Sequence, residues 1–261
     1  MMGGLVRAEW LKVRRQPSLW LTIAIPLALA VLGAWITGQT LARFGSVAPA
    51  FPRPMLSGLE FVNFLGNILI VMLATGIVGS EYGYDTWKNL LTRRAGRGPF
   101  LAVKLGYALA AATAIIILVP LAYQLITLLA YASTAPTATL PEAVPDLVIA
   151  LLVAWLRLAI AACIAVFTTV IARSSCGGLV LALPWLIIDG IVAGLGSLPF
   201  RSFWHDVAPY TFNYHLSALA ADLSGGAGNV SPLYSASVLL AYTAGLFALA
   251  VVIFRRRDIA G

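Results

Sequence analysis

Two charged residues interrupt long apolar runs: Arg157 in "LLVAWLRLAIAACIA" and Asp189 in "LPWLIIDGIVAGL". Each lies roughly ten residues into a run long enough to cross a bilayer, so at about 1.5 Å per residue both fall near its midplane, on consecutive helices. An unpaired charge there costs at least about 2.5 kcal/mol on insertion scales. The two are therefore expected to pair, or to face a polar cavity, either joining helices or lining a substrate path. Glu60, Asn63 and Asn67 make a second polar group, spaced i, i+3, i+7 so that one helical face carries all three. Amides inside lipid either bond to a neighbouring helix or subunit or line an exit path.

Enzyme chemistry finds no footing. The chain has no H-E-x-x-H, no G-x-S-x-G elbow and no G-x-x-x-x-G-K-[ST] phosphate loop. No catalytic residue, no metal ligand and no cofactor is expected in this chain. His205 and His215, near Asp206 and Asp222, read as interfacial polar contacts rather than as a metal site. Cys163 in an apolar run and Cys176 in a short loop read as free thiols.

The elements that must hold these residues follow from composition. Of 261 residues, 61% are hydrophobic and 10% charged, with a mean hydropathy of +0.92. Soluble domains carry about a quarter charged residues, so the chain reads as an all-α membrane protein with one transmembrane domain over 1–261. Six apolar runs reach spanning length, roughly 18–38, 61–79, 100–132, 147–172, 178–197 and 233–254. Lipid leaves no partner for open backbone, so each is expected as a helix. Pro26, Pro120 and Pro184 are expected to kink the first, third and fifth.

Orientation follows from the basic residues. Arg7, Lys12, Arg14 and Arg15 precede the first span; Lys88, Arg93, Arg94, Arg97 and Lys104 lie around the connection of the second and third. Arg173 follows the fourth, and Arg255, Arg256 and Arg257 follow the sixth. The opposite side has only Arg43, Arg53 and Arg201. The positive-inside rule then places both termini in the cytoplasm, and the net charge of +7 is a topology signal rather than a nucleic-acid footprint. Of the outer loops, 39–60 is Pro-rich and 198–232 is the longest, with a short amphipathic or re-entrant helix expected over 212–223.

The cytoplasmic stretch "GSEYGYDTWKNLLTRRAGRGPFLAVK", 79–104, has its own pattern. Ser80 is placed to cap a helix whose first turn holds Glu81. Tyr84, Trp87, Leu90 and Leu91 then form an apolar stripe at helical spacing. "TRRAGRGP" breaks that helix, and Pro99 opens the third span. The reading is a short amphipathic helix under the membrane, followed by a basic turn.

Two stretches resemble the ABC-2 type permeases, the membrane subunits of bacterial ABC exporters. "RAEWLKVRRQPSLWL" is similar to the amphipathic helix that leads into the first of that family's six spans; here it falls within 1–17. In the connection of spans two and three, Glu81, Thr86, Leu90, Leu91, Arg97 and Lys104 follow the family's order, with Asp85 where it often has Gly. The resemblance implies a bacterial plasma-membrane location, a second permease chain as homo- or heterodimer, and separate ATPase subunits that hold ATP and magnesium. It implies that the segment around Asp85–Arg94 is a coupling helix entering a cleft on the ATPase. Trp87, Leu90 and Leu91 would anchor in that cleft, with Lys88, Arg93 and Arg94 meeting acids around it and Glu81 and Asp85 at the helix start. An ATPase-independent secondary transporter and a non-transporting assembly or immunity subunit are the alternatives. The apolar spans favour an amphiphilic or hydrophobic cargo.

Overall fold

A computed structural model describes residues 2–43, 52–83, 97–130, 140–196, 206–223 and 230–256. Among them no strand occurs. The order is α1 (Met2–Arg14), α2 (Pro17–Arg43), α3 (Arg53–Phe61), a π-turn (Val62–Gly66), α4 (Asn67–Gly83), α5 (Arg97–Ala130), α6 (Leu140–Ala172), α7 (Ser175–Gly196), α8 (Phe212–Leu223) and α9 (Pro232–Arg256). Six stretches are long and apolar enough to span: Pro17–Thr40, Arg53–Gly83, Gly98–Ala130, Val144–Ala172, Ser175–Leu195 and Pro232–Arg256. The helices α2, α5 and α7 each run on through their internal proline.

The second span departs from the expected 61–79 at both ends. "RPMLSGLE" reads as loop because Pro, Gly, Ser and two charges crowd it, yet it forms α3. Pro54 sits in the first turn, where no intrahelical donor is needed. Packing decides the rest. Met55, Gly58 and Leu59 are buried, and a Cβ on Gly58 would lie 3.0 Å from the Pro120 Cα and from the Tyr123 Cβ. At the other end, Ser80 does not cap a new helix. It lies inside α4 and donates to the Ile77 carbonyl at 3.3 Å. The helix continues because Glu81 finds partners on α1 and α5.

The helix α6 is the centre. Its stretch from Leu158 to Val166 is buried throughout, and a helix apolar all round is one surrounded by others. It packs against α4, α7, α8 and α9, while α2 and α3 pack along α5. Hydrophobic burial gains little between helices in lipid, so close packing of small residues must hold them. Ala159, Ala161, Ala162 and Ala165 supply that surface on α6. The tightest approach is at Gly79, where a Cβ would fall 2.5 Å from the Ser175 backbone, drawing α4 onto the start of α7.

The α6–α7 hairpin turns on Arg173, the only non-glycine among the described residues with positive φ (55°). Its amide donates to the Thr169 carbonyl at 2.9 Å, closing α6. The Ser174 hydroxyl then accepts from the Gly177 amide at 2.9 Å and caps α7.

Candidate functional site

Three helices bring four charges together at the end of the bundle where α4 stops and α5 begins. Glu9 and Lys12 come from α1, Glu81 from the last turn of α4, and Lys104 from the second turn of α5. Lys104 is 1% exposed and Glu81 0%, with Glu9 at 4%. The Lys104 ammonium has three protons and three acceptors: the Ile77 carbonyl at 2.9 Å, Glu81 Oε1 at 3.0 Å and Glu9 Oε2 at 3.3 Å. It also stands 4.8 Å above the Phe100 ring. Lys12 Nζ donates to the same Glu81 oxygen. Among the described residues, two acids and two lysines balance each other's charge in the cluster. Buried charges are tolerated only when paired and hydrogen-bonded in this way.

The cluster brackets the segment between α4 and α5. Of the residues assigned to ATPase coupling, Asp85, Trp87, Lys88, Leu90, Leu91, Arg93 and Arg94 lie outside the described residues. Glu81 lies inside, fully buried against α5 rather than turned outward. Sequence reasoning passed over Glu9 and Lys12 as site residues and used Lys104 only as a match of order. The available signal was a lone acid at the end of α4 and a lone base inside α5, with both signs on α1 to complete them.

Asp189 and Arg157 take different partners. No ion pair joins them among the described residues. The Asp189 carboxylate accepts from the amides of Phe212 (3.2 Å) and Asn213 (3.1 Å) and from the Asn213 side chain (2.8 Å). It therefore caps α8 from another helix. Thr211 completes the cap locally, its hydroxyl accepting from the Tyr214 amide at 3.3 Å. The first three orphan donors of α8 are thus satisfied, and the carboxylate meets the positive end of the helix dipole. His215, in the next turn, is buried, with Nε2 2.8 Å from the Pro209 carbonyl and Nδ1 3.4 Å from the Ser235 hydroxyl of α9.

Arg157 instead faces a cavity of about 440 Å³ between α3, α6 and α8, lined also by Glu60, Asn63, Leu216 and Ser217. Its Nε is buried without a hydrogen-bond partner. The π-turn separates the expected Glu60, Asn63, Asn67 stripe. An extra residue in the turn rotates the helix beyond it by about 100°. Glu60 and Asn63 remain on the cavity, whereas Asn67 leaves it and donates to the Asn63 carbonyl at 3.2 Å.

The remaining polar candidates are quieter. Cys163 is a buried free thiol and Cys176 an exposed one. No group of His, Cys, Asp or Glu suited to a metal ion occurs among the described residues.

Six apolar helices, one of them buried at the centre, with polar groups held in caps, a cavity and a paired charge cluster, define a multi-pass membrane protein of the permease kind. The chain belongs to the ABC-2 family: the family model described as ABC-2 family transporter protein matches residues 5–189. That match runs from α1 to Asp189 and takes in the charge cluster and Arg157. Among curated proteins no relative matches the chain.

Proposed function

We propose that this chain is the membrane-spanning subunit of an ATP-driven exporter of the bacterial plasma membrane, with both termini cytoplasmic. Permeases of this family typically work with ABC ATPase partners, and no phosphate loop occurs in the sequence, so a partner chain would bind and hydrolyse the nucleotide. Two permease chains would form the pathway. The segment around Asp85–Arg94 would dock on the ATPase.

The observation that carries this reading is the cluster of buried Glu9, Glu81 and Lys104 with the partly exposed Lys12. It sits on both chain ends of the 84–96 segment and ties them to each other and to α1. A push transmitted through that segment would meet three helices joined by this cluster. It would reach α4 and α5 as one body, and α1 with them. The basic residues around this end of the bundle support a cytoplasmic placement.

Co-purification with an ABC ATPase expressed beside the chain tests the reading. The double reversal R93E/R94E is expected to reduce recovered ATPase at least tenfold while the permease stays monodisperse. Undiminished recovery, or transport in vesicles that contain no ATPase, counts against it and favours an ATPase-independent transporter.

A further inference from the structure

The cavity between α3, α6 and α8 holds two opposite charges that do not meet. Arg157 enters from α6 with its Nε buried and unbonded. Glu60 enters from α3 and is exposed at the rim. Among the described residues neither makes an ion pair or a hydrogen bond. Asn63 adds an amide from the π-turn, a helix irregularity that often marks functional sites. Ser217 brings a hydroxyl from α8, already donated to the Asn213 carbonyl at 2.9 Å and so left as an acceptor. The rest of the wall is apolar, from Leu56, Leu59, Val153 and Leu216 among others. At about 440 Å³ the space lies in the range of small-molecule sites, about 300–1,000 Å³.

We propose that this cavity binds the zwitterionic headgroup of an amphiphile, its phosphate or carboxylate on Arg157 and its ammonium on Glu60. A guanidinium offers a planar fork that suits an oxyanion. The nearby carboxylate penalises a ligand that is only anionic, and the guanidinium penalises one that is only cationic. A ligand with both signs meets both groups without leaving a buried charge unpaired. The apolar wall, and Phe64 beside Asn63 at 76% exposed, offer surface for an attached chain. The inference deepens the permease reading by naming the chemistry its pathway would handle. Occupancy of the cavity needs no ATPase, so either reading can fail without the other.

The test is a titration of the purified chain in dodecylmaltoside micelles with dioctanoyl phosphatidylethanolamine, read by native mass spectrometry. One saturable site is expected, weakened about tenfold by R157Q and by E60Q, and less by R157K. Dioctanoyl phosphatidylglycerol, which lacks the ammonium, is expected to bind about tenfold more weakly and to gain rather than lose affinity in E60Q. Free O-phosphoethanolamine, if it binds with the same dependence on both residues, supports the site and assigns its ligand to a soluble source. Binding of the lipid alone supports it with a bilayer source. Glu60 is exposed, so E60Q is the variant least prone to misfold. Unchanged phosphatidylethanolamine affinity in E60Q, or equal affinity for phosphatidylglycerol in the wild type, overturns the proposal.

Discussion

The Lys104 ammonium lies 3.0 Å from Glu81 Oε1, with both side chains removed from solvent. This pair joins the last turn of α4 to the second turn of α5 across the segment proposed to meet the ATPase. Its energetics are asymmetric. As a complete cluster the charges offset one another; with one removed, the others are left buried and uncompensated.

Replacing Lys104 by Met should therefore destabilise the chain by about 3–5 kcal/mol, seen as a lower melting temperature in detergent. Glu81→Gln should act in the same direction. A double-mutant cycle on the two should return a coupling of at least about 1 kcal/mol. Additive effects would mean that the contact carries no energy of its own. In the assembled transporter, any of these variants that remains folded should hydrolyse ATP with reduced transport.

Asp189→Ala should loosen α8 without disturbing the six spans. Loss of an N-cap costs about 0.5–2 kcal/mol, and Asp189 serves two amides and one side chain. Faster hydrogen exchange at Phe212 and Asn213, with α6 unchanged, is the expected signature. Asn in place of Asp keeps an acceptor but loses the charge, and should fall between.

Glycine substitutions on α4 should separate by a single turn. At Gly79 a Cβ would lie 2.5 Å from the Ser175 backbone, while at Gly76 nothing lies within 4 Å. Gly79→Ala is expected to lower stability and yield. Gly76→Ala is expected to be neutral, or to stabilise by about 0.5–1 kcal/mol through reduced chain entropy. Melting curves of the two in one detergent decide the matter.

The two thiols report on the proposed orientation. Cys176 is exposed next to the α6–α7 turn, and Cys163 is buried in α6. With cytoplasmic termini, a membrane-impermeant maleimide should miss Cys176 in intact cells and label it in inverted vesicles. Cys163 should stay unlabelled in both until the protein is denatured. Labelling of Cys176 from outside would reverse the topology.

Much of the architecture was legible because hydropathy is a local property. A run of about 20 apolar residues has one stable form in lipid, since only a helix satisfies its own backbone. The six spans could thus be counted from the sequence, and α8 could be placed at 212–223 from its flanking turn residues. The family resemblance rested on the N-terminal "RAEWLKVRRQPSLWL" and on the order of Glu81, Thr86, Leu90, Leu91, Arg97 and Lys104, which are also read along the chain.

Partnership was not legible in this way. The sequence alone showed Glu81 and Lys104 only as parts of a cytoplasmic connection. It determined that Arg157 and Asp189 are charges in apolar surroundings, and so that each needs a counterpart or a polar space. Only the tertiary structure decided which. Asp189 took the open amides of α8 rather than Arg157, because a helix N-terminus met it across the loop. Glu81 extended α4 instead of opening a new helix, because Lys12 and Lys104 converged on it. The π-turn at Val62–Gly66 moved Asn67 off the face of Glu60 and Asn63, a rotation that the i, i+3, i+7 spacing could not foresee. Periodicity sets the direction of a side chain relative to its own helix; what stands opposite depends on the packing of all the others.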